Sequence, residues 1–450
     1  MADPLTALTK HYDDLADRWK LCDRSGDYGP LVVPTGNAQA PFHRWFRMKE
    51  AYSHLLLPQL LKDSNMGQQN LSVLDPFSGG GTTAVSAISL SRENSSPSRV
   101  LAIERNPVMR LISHAKCAGI SRGPELADLV EKGAADVVAE CRKLQGGPPS
   151  AFTPSVTLNN SAYYSAESRD CLLSLALMAS EHVDDADALA VIRVCIASVV
   201  EPAGRLRRDG RALRFAPERQ PVEPLNAFLE AVNRCVEDMR STPPVDTPSE
   251  YSLVDGDARE VDRTAKNGMF NWIVFSPPYP NNIDYTEIYK TEAWVLGMYD
   301  SAASMKRQRL RTLRSHTSLY FPDEYSYLSS TSSTEVADLV APVLSAVPLD
   351  RYARGRRQLI KGYVDDMYRV LAACRSVCTA DAKLALVVGN SVHGVGEQRF
   401  VIAADILIAA LGELTGWDVE EIRVARSLKR RLANSSYTRE SVVVLRPSAR

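Results

Sequence analysis

Three short stretches of the 450-residue chain hold residue types spaced for chemistry. In the first, VLDPFSGGGTTAVSAI, an apolar run ends in Asp75, passes through Phe77 and the glycines Gly79, Gly80 and Gly81, and enters a helical pattern at Thr82. Glycines let the backbone approach a ligand closely, and the first turn of a helix adds unpaired N–H groups. The turn has neither the Gly-Lys-Ser/Thr ending of a phosphate loop nor a GxGxxG dinucleotide pattern. A plain tight turn needs the same glycines. The second stretch, RVLAIERNP, is an apolar strand ending in Glu104. A carboxylate at that point is placed to accept hydrogen bonds from both ribose hydroxyls of a nucleoside.

The third stretch is FSPPYPNNIDYTEIYKTEAWVLG (275–297), in which strand NWIVF runs directly into Ser276, Pro277, Pro278 and Tyr279. Two prolines fix φ and keep the chain extended, so the loop is pre-organised and its carbonyls are free to accept. Such acceptors suit a base amine, whose lone pair is delocalised into the ring. Hydrogen bonds to both N–H protons draw the nitrogen toward tetrahedral geometry and aim the lone pair at an electrophile. The Ser276 side chain and the Pro277 carbonyl fit that role, and Tyr279 offers a face for stacking. Such a base must first leave a duplex.

Together these stretches resemble the S-adenosylmethionine-dependent amino-methyltransferases of DNA. That family opens with a D-P-F-x-G-x-G-T-type loop, and its second motif is an acid followed by Asn-Pro, here Glu104, Asn106 and Pro107. The resemblance implies that Asp75, Phe77, Gly79 and Gly81 line the methionine part of S-adenosylmethionine, with Thr82 opening the helix beside it. Glu104, with Asn106 next to it, would hold the ribose. LVDGDAR puts Asp257 where the family contacts adenine, although any strand ending in Gly-Asp fits. PFHRWFRMKEAYS (41–53) is similar to the segment that packs over the cofactor, which would bring His43 and Trp45 against it. Simple core packing would use the same residues.

S-P-P-Y looks like the N4-cytosine form of this family, whereas D-P-P-Y is commoner in N6-adenine enzymes. The implied reaction is methylation of cytosine N4 in double-stranded DNA, with a companion restriction endonuclease left open. The alternatives are an N6-adenine DNA methyltransferase, an RNA methyltransferase acting on guanine N2 in tRNA, and a non-catalytic DNA-binding protein. RNA enzymes commonly carry a separate domain before the catalytic one, and only about 40 residues precede the 41–53 segment. Cytosine C5 chemistry needs a cysteine nucleophile, typically in Pro-Cys. None of the eight cysteines follows a proline. The cofactor loop precedes the catalytic loop, the reverse of many N4-cytosine enzymes, which leaves the target-recognition region open.

The elements that must position these loops read as α/β. Strand-like runs at 71–77, 99–104, 251–258, 271–278 and 383–390 alternate with helical stretches, the pattern of a Rossmann-like, mostly parallel sheet with helices on both faces. Two more runs, 417–426 and 439–447, would form an antiparallel edge hairpin. Segments 41–120, 250–300 and 380–447 then make the catalytic domain. The largely helical insertion 121–249 is expected to serve target recognition, and the polar, basic insertion 301–360 to contact DNA. Gly389-Asn390-Ser391 follows a strand and would shape the base pocket.

Net charge is only -1, but positive residues gather at 205–214, 305–314, 351–361 and 426–431. Such runs suit phosphate contacts. Arg205, Arg207, Arg208, Arg211, Arg309 and Arg311 are the expected DNA contacts. Hydrophobic content of 45% with 24% charged residues is that of an ordinary globular protein. No apolar run is long enough to span a bilayer, and the N-terminus has no secretory pattern, so an intracellular, soluble protein is expected, and the resemblance implies the cytoplasm of a prokaryotic cell. Cys374 and Cys378 are helix-spaced core thiols with no second pair for zinc.

Overall fold

A computed structural model describes residues 3–449 apart from 65–69, 97, 145–154, 209–212, 243–249, 267, 282, 323 and 429–434. Eight strands form the central sheet: β1 (Leu21–Asp23), β2 (Ser72–Asp75), β3 (Arg99–Ile103), β4 (Glu250–Val254), β5 (Phe270–Phe275), β6 (Cys378–Gly389), β7 (Trp417–Ser427) and β8 (Arg439–Pro447). Their spatial order is β1-β7-β8-β6-β5-β2-β3-β4. Only β8 runs against its neighbours, antiparallel to both β7 and β6; the remaining pairings are parallel.

The central strands are apolar on both faces, as a sheet covered on both sides requires. Val73, Trp272, Val274, Val387, Val442 and Val444 belong to one apolar cluster. The alternate residues Leu74, Ile273, Phe275, Leu386, Val443 and Leu445 belong to another. Twelve longer helices supply the cover, and they are α1 (Pro4–Ala16), α2 (Leu56–Ser64), α3 (Thr82–Glu93), α4 (Pro107–Arg122), α5 (Pro124–Lys143), α6 (Ala166–His182), α7 (Ala186–Val200), α8 (Pro224–Arg240), α9 (Ala302–Arg311), α10 (Ser333–Ser345), α11 (Ala353–Val377) and α12 (Ala404–Leu414). Helices α2 to α8 share the first cluster, and α1, α10, α11 and α12 the second. The α/β architecture with helices on both faces is as expected from sequence. The described residues of 121–249 are largely helical too, apart from a short antiparallel pair at Leu206–Arg208 and Leu213–Phe215, and helices α5 to α8 continue the apolar core of the sheet rather than standing away from it.

The two last strands do pair with each other, but not as an edge hairpin. β8 is inserted between β7 and β6, and β1 adds a parallel strand outside β7. The physical reason is the burial pattern of β8, closed along Arg439–Leu445, which an exposed edge would not tolerate. β1 itself, only three residues long with two of them exposed, carries almost no pattern to read. Among the described residues no helix is long and apolar enough to cross a membrane. All eight cysteines are free, with Cys374 and Cys378 both buried.

Candidate active site

Parallel strands put their carboxyl ends along one edge of the sheet, and ligands of open α/β sheets bind in the crevice outside those ends. Here the loops after β2, β3, β4, β5 and β6 all open on one cavity of about 360 Å³. Its wall includes Phe77, Gly79 and Thr82 after β2, Glu104 and Asn106 after β3, and Asp257 after β4. Ser276, Pro277, Pro278 and Tyr279 after β5 and Gly389 and Asn390 after β6 line it as well. The three stretches singled out by chemistry, spread from Phe77 to Tyr279 in sequence, therefore share one space.

The glycine turn is built for close approach. Gly81, the N-cap of α3, sits at φ 82°, where a side chain would be strained. A Cβ on Gly80 would fall 2.3 Å from the Met48 sulfur. Asp75 and Gly81 do not line the cavity; they sit behind the loop and shape it. One Asp75 carboxylate oxygen accepts from the Phe77 N–H at 3.0 Å, and the other faces the Tyr52 hydroxyl, which is itself bonded to Thr83. Burial pushes the Asp75 carboxyl up to about 7, against the hydrogen bonds that favour its charge. Glu104 accepts from the Gly79 N–H at 2.8 Å and the Asn106 N–H at 2.7 Å, tying the β2 loop to the β3 loop. Burial raises its carboxyl too. A carboxylate oxygen can accept more than one hydrogen bond, so Glu104 in the cavity wall retains capacity for a hydroxyl donor. Asn106 caps α4 through its side chain, which accepts from the Val108 and Met109 N–H groups. Asp257 is engaged by Arg259 at 2.7 Å. Burial would raise its carboxyl, and the Arg259 guanidinium outweighs burial and holds it low.

On the other side, Ser276 Oγ stands within donating distance of the Val387 carbonyl at 3.1 Å and the Tyr279 hydroxyl oxygen at 3.2 Å. The Tyr279 hydroxyl donates to Glu440 at 2.8 Å, and the other Glu440 oxygen accepts from Arg426. Burial, then the Glu440 charge, pushes the Tyr279 phenol well above its ordinary range, so it stays a donor. The Tyr279 ring packs on Gly389, where a Cβ would approach it to 2.8 Å. The Pro280 carbonyl accepts from Ser391 at 2.7 Å and His393 at 2.8 Å. Asn390 turns its amide away, donating to Asp405 at 2.7 Å. The Gly389-Asn390-Ser391 turn thus holds the Ser276–Pro280 loop in place.

Several expected residues lie elsewhere. Trp45 packs its ring on Gly119, where a Cβ would fall 2.3 Å from it, and donates to Asp238 at 2.9 Å. His43 is buried beside it and held neutral by burial. Neither lines the cavity; both are core residues of the segment leading to Met48, Glu50 and Tyr52, which do. Arg208 is buried between Glu201 at 2.6 Å and Glu292, and Arg309 is bonded to Asp284 at 2.7 Å and Glu287 at 3.1 Å. Both are internal ion-pair partners rather than phosphate contacts. Arg205 and Arg207 are exposed, and Arg311 is exposed at the cavity wall. Arg211 and residues 429–431 of the last basic run lie outside the described residues.

Sequence reasoning missed two carboxylates in the cavity wall. Glu50 accepts from Tyr289 at 2.7 Å, and its other oxygen is buried without a partner. Glu440 holds Tyr279. Glu50 stands inside the 41–53 segment and Glu440 at the start of a strand, and no local pattern distinguishes either from a surface acid.

No family model matches this chain. It is 22% identical to the type II methyltransferase M.BsoBI of Geobacillus stearothermophilus, over 90% of this chain and 84% of that one. It is 21% identical to the type II methyltransferase M.AvaI of Nostoc sp., over 88% and 83%. An rRNA methyltransferase structure, aviRa from Streptomyces viridochromogenes, shares 10% identity over 88% of this chain and 85% of that one, at a TM-score of 0.28. At that score the superposition carries no argument. The glycine cradle, the buried acid after β3 and the unpartnered Glu50 oxygen fit a nucleoside ligand that also bears a cationic group. Over most of its length the chain is similar to type II methyltransferases, and the methyl donor this similarity implies is S-adenosylmethionine.

Proposed function

We propose that this protein transfers a methyl group from S-adenosylmethionine to the exocyclic N4 amine of cytosine in double-stranded DNA, acting on a base flipped out of the helix. The observation that carries the reading is the shared cavity: Ser276–Tyr279 faces the same space as the Gly79–Gly80 turn and Glu104. When bound, the cofactor supplies an electrophilic methyl group on a sulfonium. Phe77, Gly79, Thr82 and Glu104 would hold it, with Asp257 toward its adenine end.

The remaining work belongs to the catalytic loop. Ser276 Oγ, whose own proton is shared between the Val387 carbonyl and the Tyr279 hydroxyl, and the Pro277 carbonyl accept hydrogen bonds from the two N–H groups of the target amine, one of which loses its proton to solvent once the nitrogen carries the methyl group. These hydrogen bonds localise the nitrogen lone pair, a gain realised mainly as the transition state forms. Tyr279, fixed by Glu440 and by packing on Gly389, presents its ring to the base. Cytosine rather than adenine is assigned because Ser276 stands where the adenine form carries aspartate.

Expression in a methylation-free host, followed by sequencing that resolves N4-methylcytosine, N6-methyladenine and C5-methylcytosine, tests this reading. N4-methylcytosine in a fixed motif is expected. Ser276→Ala should lower it by about 100-fold or more, the usual cost of losing one oriented hydrogen-bonding group at a reacting centre. Abundant N6-methyladenine would overturn the cytosine assignment, and unmodified DNA would overturn DNA as the substrate.

A further inference from the structure

Arg354, Arg357 and Lys361 stand three and four positions apart on α11 and so share one face of the helix. Arg351 and Arg354 are exposed, and Arg357 and Lys361 half-buried. Among the described residues no carboxylate pairs with any of the four; the nearby Asp350 is taken by Arg356 at 2.8 Å. Two exposed tyrosines hold the guanidinium groups instead. Arg354 lies 4.7 Å from the ring centre of Tyr320, and Arg351 lies 4.7 Å from that of Tyr352. These rings are 56% and 52% exposed, so their faces and the guanidinium groups over them are open to a partner.

The end of α11 from which this face begins is locally ill-matched to its own residues. Its N-cap, Tyr352, makes no side-chain capping bond, and no acid stands in the first turn. Arginines there oppose the positive end of the helix dipole, where an anion would be stabilising. Sites at which local choices conflict with stability are expected to be functional. The patch also borders the cavity: Ser315 and His316 line it, and Thr317, next in sequence, packs on Gly355 of α11.

We infer that this face of α11, with Arg351 and the two tyrosines, is the surface on which the phosphates of duplex DNA lie while the target base occupies the cavity. Arg354 to Lys361 spans about 10 Å of helix, the axial run of about three phosphates on one strand. The inference rests on the proposed function. It moves the main phosphate contacts away from the 205–208 and 305–311 runs, whose Arg208 and Arg309 are engaged inside the protein.

The test is the salt dependence of binding to a labelled DNA duplex of arbitrary sequence, for the full chain and for the Arg354→Ala, Arg357→Ala, Lys361→Ala triple variant. Loss of three phosphate contacts should make the slope of log K against log salt less negative by about 2.7. S-adenosylmethionine binding should not change. The Arg354→Lys, Arg357→Lys variant should keep the slope, which separates charge from folding. An unaltered slope in the triple variant would overturn the inference. So would loss of the slope in Arg205→Ala, Arg207→Ala instead, or tighter binding of an RNA duplex. If the unsubstituted protein neither binds duplex DNA nor methylates it, the proposed function fails; if it does both and the triple variant matches it, only the surface assignment fails.

Discussion

Arg208 and Arg354 come from similar arginine-rich runs, and the fold treats them oppositely. Arg208 has 8% of its side chain exposed, is bonded to Glu201 and Glu292, donates to the Ile288 carbonyl at 3.1 Å and lies 4.7 Å from the Tyr289 ring centre. Arg354 stands in solvent over Tyr320. The difference comes from elsewhere in the chain. Glu292 reaches Arg208 from 84 positions away and is itself 1% exposed. No acid reaches Arg354 among the described residues. One arginine fixes the wall around Tyr289 and Glu50, and the other is left for a partner.

The largest consequence is for stability. Arg208→Ala should cost about 3–5 kcal/mol in urea denaturation, because it strands a buried carboxylate. Adding Glu292→Gln should recover part of that loss. A near-neutral Arg208→Ala would show that the pair is solvated and the comparison false.

A comparable effect is expected from the Asp75 carboxyl, which is buried and has no salt-bridge partner among the described residues. Asp75 titrates at about 7 in the folded protein against an ordinary 3.8, so between those values the unfolded chain gives up its proton first. Stability therefore falls as pH rises from 3.8 to about 7, and above that the fold carries a buried anion. Asp75→Asn should remove this slope. The gap in melting temperature between the two proteins should favour the unsubstituted one most at low pH and close as pH rises. A gap independent of pH would mean that Asp75 titrates normally.

The smallest effect sharpens the contrast with Arg208. Arg354→Ala should change unfolding free energy by no more than about 0.5 kcal/mol, as for an exposed residue with no buried partner. A loss like that of Arg208→Ala would make Arg354 structural.

Much of the architecture was legible because strands that end in functional loops carry strong signals. VLDPF, RVLAIE and NWIVFSPP are apolar runs cut by residues that cannot continue a strand, and each became a strand ending at the cavity. His43 and Trp45 were misplaced because an aromatic segment that packs over a cofactor and one that packs on a helix look alike. Trp45 was settled by Gly119 and Asp238, residues far along the chain. The edge hairpin failed for a related reason. Register and neighbour order depend on which strands meet, and β1 supplies only three residues of pattern.

By itself, then, the sequence determined the parallel α/β frame and the two loops at Gly79–Gly81 and Ser276–Tyr279, because both follow from local backbone chemistry and periodicity. Only the tertiary structure decided that β8 lies inside the sheet, that Glu50 and Glu440 belong to the cavity, and which arginines remain exposed. Those outcomes depend on partners distant in sequence. A charge is buried or left in water according to what the fold brings beside it.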